Sequence, residues 1–170
     1  MNITVTGSSF GIRSCHEHRH QCWELVFMLD GSCTTSVNQQ TIQLQKSSVL
    51  ITPPNVPHST SSKESYSDMF LQCDAFPINV SSPVLLYDFD GSIGQLFSLI
   101  HTLNLKNSTE YQPVLRSLGD ALISHLQICL GSANHFPFIS EIKAALEDQI
   151  APARLYLRKR DVYRARFIGW

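Results

Sequence analysis

The sequence of 170 residues lacks several features that would narrow its function at once. It has no apolar run long enough to cross a bilayer, and its first residues, MNITVTGSSFG, lack the charged start and apolar centre of a secretion signal. Its formal net charge of −1 gives no global attraction for nucleic acid or for an anionic membrane. We therefore expect a cytoplasmic protein without a membrane partner.

Paired cysteines and the common catalytic motifs are also missing. The five cysteines are scattered and never form a CxxC pair, which argues against a disulfide framework and against a structural zinc site. The sequence has no phosphate-binding loop, no dinucleotide fingerprint and no nucleophile elbow. We expect free thiols, and we assign no catalytic residue.

The first part of the chain has the texture of an all-β sandwich or barrel. It is rich in Thr, Ser, Val and Ile, and turn clusters such as LDGS, VNQQ and PPNVPHS recur at short intervals. The runs between these turns predict strands over 3–6, 23–29, 34–37, 41–44, 49–52, 69–74 and 84–87.

The spacing of apolar residues changes to a helical period after residue 90. SIGQLFSLIHTLNL predicts a first helix, and Ser92 followed by Gln95 fits a capping box at its start. EYQPVLRSLGDALISHLQICL predicts a second helix that Gly131 would end. This helical hairpin has an apolar face that either covers the sheet or forms a dimer contact. In the second helix that face consists of Leu115, Leu118, Leu122 and Leu126.

Three segments result from these patterns. Residues 1–90 are predicted to form the β barrel, and residues 91–133 to form the helical hairpin. Residues 134–170 hold a weaker third helix over 141–150 and then a basic tail.

The stretch HRHQCWELVFMLDG, which starts at His18, carries most of the candidate chemistry. If it is one extended strand, its side chains alternate between two faces. The even-numbered face then presents His18, His20, Cys22, Glu24, Val26 and Met28 to a concave surface. The odd-numbered face is apolar and requires a cover, which the helices could provide.

A third imidazole could join this face from elsewhere in the chain. His58 follows the apolar run VLIT and the stiff turn PPNVP, which could fix its approach. Imidazoles together with one carboxylate suit divalent iron, manganese, nickel or zinc. The alternative is a metal-free pocket, in which these groups form hydrogen bonds to neighbours or to a ligand.

Two motifs in this region resemble those of the cupin family. HRHQCWELVFMLDG resembles the first cupin motif, H-x-H, three or four residues, E, six residues, then G. SSVLITPPNVPHSTSS resembles the second motif at Pro53 and His58, but Ser47, Asn55 and Ser62 replace its two glycines and its asparagine. The resemblance implies a mainly β fold, a cupin double-stranded β-helix or jelly-roll barrel, followed by an α-helical hairpin.

Residues 3–130 further resemble the ligand-sensing domain of AraC-type transcriptional regulators, in the order barrel and then helical hairpin. This resemblance implies a small-molecule effector in the barrel and a homodimer formed through the hairpin. It implies a pocket of His18, His20, Glu24 and His58, with Cys22, Val26 and Met28 as neighbours. DNA would be bound only through a helix-turn-helix region that is incomplete here, since the expected pattern stops after FPFISEIKAALEDQI.

Two other functions stay open at this point. A metal-dependent cupin enzyme, such as a dioxygenase or isomerase, would explain why His18, His20, Glu24 and His58 occur together. A freestanding sugar-binding cupin with a structural helical tail is the third interpretation.

Overall fold

The computed structural model describes residues 2–77 and 81–135, so the predicted third helix and the basic tail lie outside the described residues. The described strands are β1 (Ile3–His18), β2 (Trp23–Asp30), β3 (Ser32–Val37), β4 (Gln40–Gln45), β5 (Ser48–Thr52), β6 (His58–Cys73) and β7 (Val84–Tyr87). The helices are α1 (Ser92–Leu105) and α2 (Gln112–His135), and a short 3-10 turn (Thr109–Tyr111) precedes α2.

The strands form one antiparallel sheet that curves into a nearly closed barrel. Its order is β4-β3-β6-β2-β5-β7, and β1 lies along the other side of β6. The long strand β6 pairs with β3 near its start and with β2 near its end. The predicted fold class, a mainly β jelly-roll barrel followed by a helical hairpin, is confirmed.

The two longest strands were underestimated from the sequence. The strand predicted over 3–6 extends to His18, and the strand predicted over 69–74 begins at His58 and ends at Cys73. Most side chains of β1 are exposed or half-buried, so the strand has little apolar alternation to reveal it. Gly11, with a φ of +64°, also interrupts the extended pattern.

The odd-numbered face of β2 packs under the helices, as its apolar side chains predict. Leu25 is fully buried, and the Phe27 ring centroid lies 5.6 Å from that of Phe97 in α1. A Cβ at Gly94 would lie 2.7 Å from Cζ of Phe27, so a larger residue at this position would require the Phe27 ring to shift. A second apolar cluster lies inside the barrel and consists of Met28, Cys33, Val37, Leu44, Leu50 and Tyr66.

The predicted capping box at the start of α1 is wrong. Ser92 does not cap the helix, and its hydroxyl instead contacts Asp90 and His125. The backbone N–H groups of Ile93 and Gly94 donate to the buried Asp88 carboxylate, at 3.2 and 2.8 Å. A carboxylate five and six residues upstream thus satisfies two of the free N–H groups of the first turn.

The leucines assigned to a dimer contact lie in the chain's own core. Leu122 and Leu126 are fully buried, Leu115 is 6% exposed, and Leu118 is half-buried beside them. These side chains therefore cover the sheet, because they share one apolar cluster with β2, β5 and β6. The predicted end of α2 at Gly131 is also wrong, since the helix continues to His135. Within the described ranges, no helix is long and apolar enough to cross a membrane.

Candidate metal centre and pocket

Four side chains from three parts of the chain meet at one end of the barrel. His18 ends β1, His20 lies in the connection to β2, Glu24 is the second residue of β2, and His58 begins β6. The strand predicted over 23–29 is present as β2, but the whole stretch from His18 is not one extended strand, because β1 ends at His18 and β2 begins at Trp23. The four side chains still converge, because His18 pairs with His58 across β1 and β6. The ligand atoms of all four residues lie within 4.8 Å of one another.

The distances inside this cluster suit a metal ion. Nε2 of His20 lies 3.0 Å from Oε1 of Glu24, and Nε2 of His58 lies 2.9 Å from Oε2. Both nitrogens are buried, yet neither is aligned as a hydrogen-bond donor to any group of the described residues. A metal bound at about 2.1 Å from each ligand would place opposite ligands about 4 Å apart. The donor set and its spacing thus fit a divalent transition metal.

Neighbouring groups orient the ligands. Nδ1 of His58 lies 3.0 Å from the carbonyl oxygen of Val56, and Nδ1 of His18 lies 2.6 Å from that of His16. A carbonyl can only accept, so these rings carry their proton on Nδ1 and leave Nε2 free to coordinate. The Gln72 side-chain amide donates to Oε1 of Glu24 at 3.2 Å.

The charges of the cluster favour a cation. Burial raises the pKa of Glu24, but contacts with His58, Gln72 and His20 outweigh it, and the pKa lies below its ordinary value. Burial lowers the pKa of His20, and the nearby Glu24 carboxylate does not fully compensate. For His58, burial is outweighed by its contacts with Glu24 and the Val56 carbonyl, so its pKa is raised. Glu24 is therefore ionised at neutral pH.

The cluster opens into a cavity of about 210 Å³ inside the barrel. Val26 and Met28 line this cavity together with Glu24. Cys22 was expected to line the cavity but does not. It lies in the connection between β1 and β2, where the alternation of a strand does not apply. Its thiol instead donates to Oε1 of Gln72 at 3.7 Å. All five cysteines are free thiols.

Several cavity residues were not predicted from the sequence. Alternate residues of β6 line one wall, namely Tyr66, Asp68, Phe70 and Gln72. The signal that could have identified them is the period of two in YSDMFLQ, but it reveals a shared face only if the strand is extended from residue 66 onward. The predicted strand began at 69, so this wall was missed.

Comparisons with known proteins give matches to part of the barrel. Residues 8–68 match a family model described as a cupin domain. Similar solved structures include a cupin superfamily protein from Desulfitobacterium hafniense, at 20% identity over 41% of this chain and 64% of that chain (TM-score 0.37). They also include a cupin-2 domain protein from Shewanella frigidimarina, at 22% identity over 39% of this chain and 64% of that chain (TM-score 0.34).

An oxalate decarboxylase variant from Bacillus subtilis is similar over 41% of this chain and 20% of that chain, at 17% identity (TM-score 0.37). The matches thus span less than two thirds of each of these three proteins. The comparison with curated proteins gives no match.

Proposed function

We propose that this protein, which contains a cupin domain, is the effector-sensing part of an AraC-type transcriptional regulator. In this proposal a divalent transition metal in the barrel helps to bind a small-molecule effector. The observation that supports sensing most is the position of β2. One face of this strand lines the cavity, and the other lies under the helical hairpin.

Strand β2 provides a short path from the cavity to the helices. Glu24 contacts the candidate metal ligands, while Phe27, three residues along the same strand, packs on Phe97 and against Gly94. Because Phe27 of β2 is in contact with Phe97 of α1, a shift of β2 would be passed to α1 through these two rings. A coupling free energy of about 1–3 kcal/mol would change affinity at the second site roughly 5–150-fold.

The metal would be held by His18, His20, Glu24 and His58, and iron, manganese, nickel and zinc all suit this donor set. When bound, it would supply a Lewis-acidic centre for an oxygen group of the effector. Gln72 would keep the Glu24 carboxylate in place through its hydrogen bond. Val26 and Phe70 would restrict water beside the bound group.

The proposal places the protein in the cytoplasm and includes a homodimer. Since Leu122 and Leu126 are buried within the chain, the dimer contact would use exposed apolar side chains of α2. Val114 and Ile128 are 46% and 66% exposed, and their spacing of fourteen residues places them on nearly the same side of the helix.

A metal-dependent cupin enzyme, a dioxygenase or isomerase, is the second candidate function. It is favoured by the full set of three imidazoles and one carboxylate, in which the buried Nε2 atoms of His20 and His58 have no hydrogen-bond partner among the described residues. A site that only binds an effector through hydrogen bonds does not need this arrangement.

One experiment separates the two functions. The metal-loaded protein is screened with sugars and aromatic acids for a rise in melting temperature, and each stabilising compound is then analysed by mass spectrometry after long incubation under air. The sensing proposal predicts that a stabilising compound is recovered unchanged. Its chemical conversion, abolished in a His20→Ala and His58→Ala double variant, would instead establish the enzyme.

A further inference from the structure

Asp68 is a buried residue of the cavity wall with an acceptor atom that nothing uses. Its side chain is only 9% exposed, and the carboxyl group accepts hydrogen bonds from the hydroxyl and the backbone N–H of Ser9. Its Oδ1 is buried and accepts no hydrogen bond from the part of the chain that the structure describes. An unsatisfied buried acceptor costs about 1–3 kcal/mol, so its presence requires a reason.

The strand pairing places Asp68 away from the metal ligands. On β6, Gln72 pairs with Glu24 and Asp68 pairs with Met28. Four residues of extended strand correspond to about 13 Å. Between them on the same wall lies Phe70, which pairs with Val26. The cavity therefore has a polar end at the metal ligands, an apolar middle and a second polar point at Asp68.

The surroundings of Asp68 provide no positive charge. Among the described residues, no ion pair includes Asp68. Burial raises the pKa of the Cys33 thiol to about 11 and also raises the pKa of Tyr66, so both groups are neutral at physiological pH. Burial likewise raises the pKa of Asp68. Among the described residues, Oδ1 therefore has neither a cation beside it nor a hydrogen-bond partner.

We infer that Asp68 is a second recognition point in the cavity, and that the ligand is a short aliphatic carboxylate with a hydroxyl or amino group at its far end. The inference rests on the proposed function for the carboxylate end, which would bind at the metal. The apolar middle suits methylene groups beside Val26 and Phe70. The volume of about 210 Å³ equals that of about seven water molecules, so only a small molecule fits.

Matched probes test this inference by isothermal titration calorimetry on the cobalt-loaded protein. The probes are butyrate, 4-hydroxybutyrate and 4-aminobutyrate, with their pentanoate and hexanoate homologues. At one chain length, the hydroxyl or amino acid should bind at least about tenfold more tightly than the unsubstituted acid, because a hydrogen bond to a charged group contributes about 1.5–3 kcal/mol. Asp68→Asn, which removes the charge but keeps an acceptor oxygen, should reduce the advantage of the hydroxyl acid, abolish that of the amino acid, and leave the affinity of the unsubstituted acid unchanged.

Asp30→Asn is the matched control, because Asp30 is exposed at the end of β2 and should keep the full advantage. The inference is overturned if no substituted acid is preferred, or if Asp68→Asn keeps the preference. Visible absorption of bound cobalt shows independently of ligand binding whether the metal centre forms. A chain without this absorption would count against the proposed function. A chain that shows cobalt absorption but no preference overturns the inference itself.

Discussion

Glu24 is the residue on which the candidate centre depends, because it contacts two of the three histidines. One carboxylate oxygen faces His20 and the other faces His58, while Gln72 donates to the oxygen that faces His20. Groups that orient metal ligands commonly change metal affinity 10–100-fold when they are removed. The side chain of Gln72 should therefore affect metal binding without touching the metal.

We predict that Gln72→Leu weakens cobalt binding about 10–100-fold, because Glu24 loses the donor that fixes its orientation. The measurement is a cobalt titration followed by visible absorption. Gln43→Leu is the control, since Gln43 is exposed on β4 and contacts Thr34 rather than the cluster. Equal affinities of wild type and Gln72→Leu would show that Gln72 does not orient the ligand.

Asp68 gives a prediction for the pH dependence of stability. Its pKa is raised above the ordinary value of 3.8, mainly by burial, so the folded chain binds this proton more tightly than the unfolded chain. The stabilising contribution of the protonated group is fully present below that value and is lost as pH rises through the folded-state pKa. At neutral pH the buried carboxylate is therefore a cost to the fold.

Asp68→Asn removes this titration, so the stability of the variant relative to wild type should increase with pH from about 4 to 7. Urea unfolding of both proteins at a series of pH values measures the difference. A difference that stays constant or decreases with pH would contradict the raised pKa of Asp68.

At the scale of secondary structure, periodic apolar residues predicted the elements, but polar contacts decided their ends. The bounds of α1 and β7 were predicted correctly, because SIGQLFSLIHTLNL and VLLY have clear limits. The bounds of the long strands β1 and β6 were not predicted correctly, because many of their side chains are polar and face solvent.

The candidate site, like the strands, could be predicted only in part from the sequence. His18, His20, Glu24 and His58 are readable from the spacing of chemically distinctive residues, and the structure brings them together. Asp68 and Gln72 acquire their positions only through the pairing of β6 with β2, which residue spacing in one strand cannot reveal.

The start of α1 offers a direct test at this scale. We predict that Asp88→Ala lowers the free energy of unfolding by about 1–2 kcal/mol, because the N–H groups of Ile93 and Gly94 lose their acceptor. Ser92→Ala should cost less, since Ser92 does not cap the helix. Chemical denaturation measures the free energy of unfolding of both variants. A larger decrease for Ser92→Ala than for Asp88→Ala would support the capping box instead.

At the scale of the whole molecule, the buried and exposed sides of α2 have different roles. Leu122 belongs to the core beneath the helix, whereas Ile128 is exposed. We predict that Ile128→Glu leaves the fold intact and shifts a homodimer to monomer in sedimentation velocity. Leu122→Glu should instead destabilise the chain itself, because it buries an unpaired charge.

Circular dichroism separates these two effects by reporting whether each variant is folded. A wild-type chain that sediments as a monomer, or an Ile128→Glu variant that still dimerises, would contradict the prediction that α2 forms the dimer contact.

The central claim is that His18, His20, Glu24 and His58 bind one metal ion, and elemental analysis tests it most directly. Untagged protein is dialysed against cobalt and then analysed by mass spectrometry for bound metal. We predict one cobalt ion per wild-type chain and none in a folded His20→Ala and His58→Ala double variant. A folded wild-type chain without stoichiometric cobalt, or a double variant that retains it, would contradict the claim.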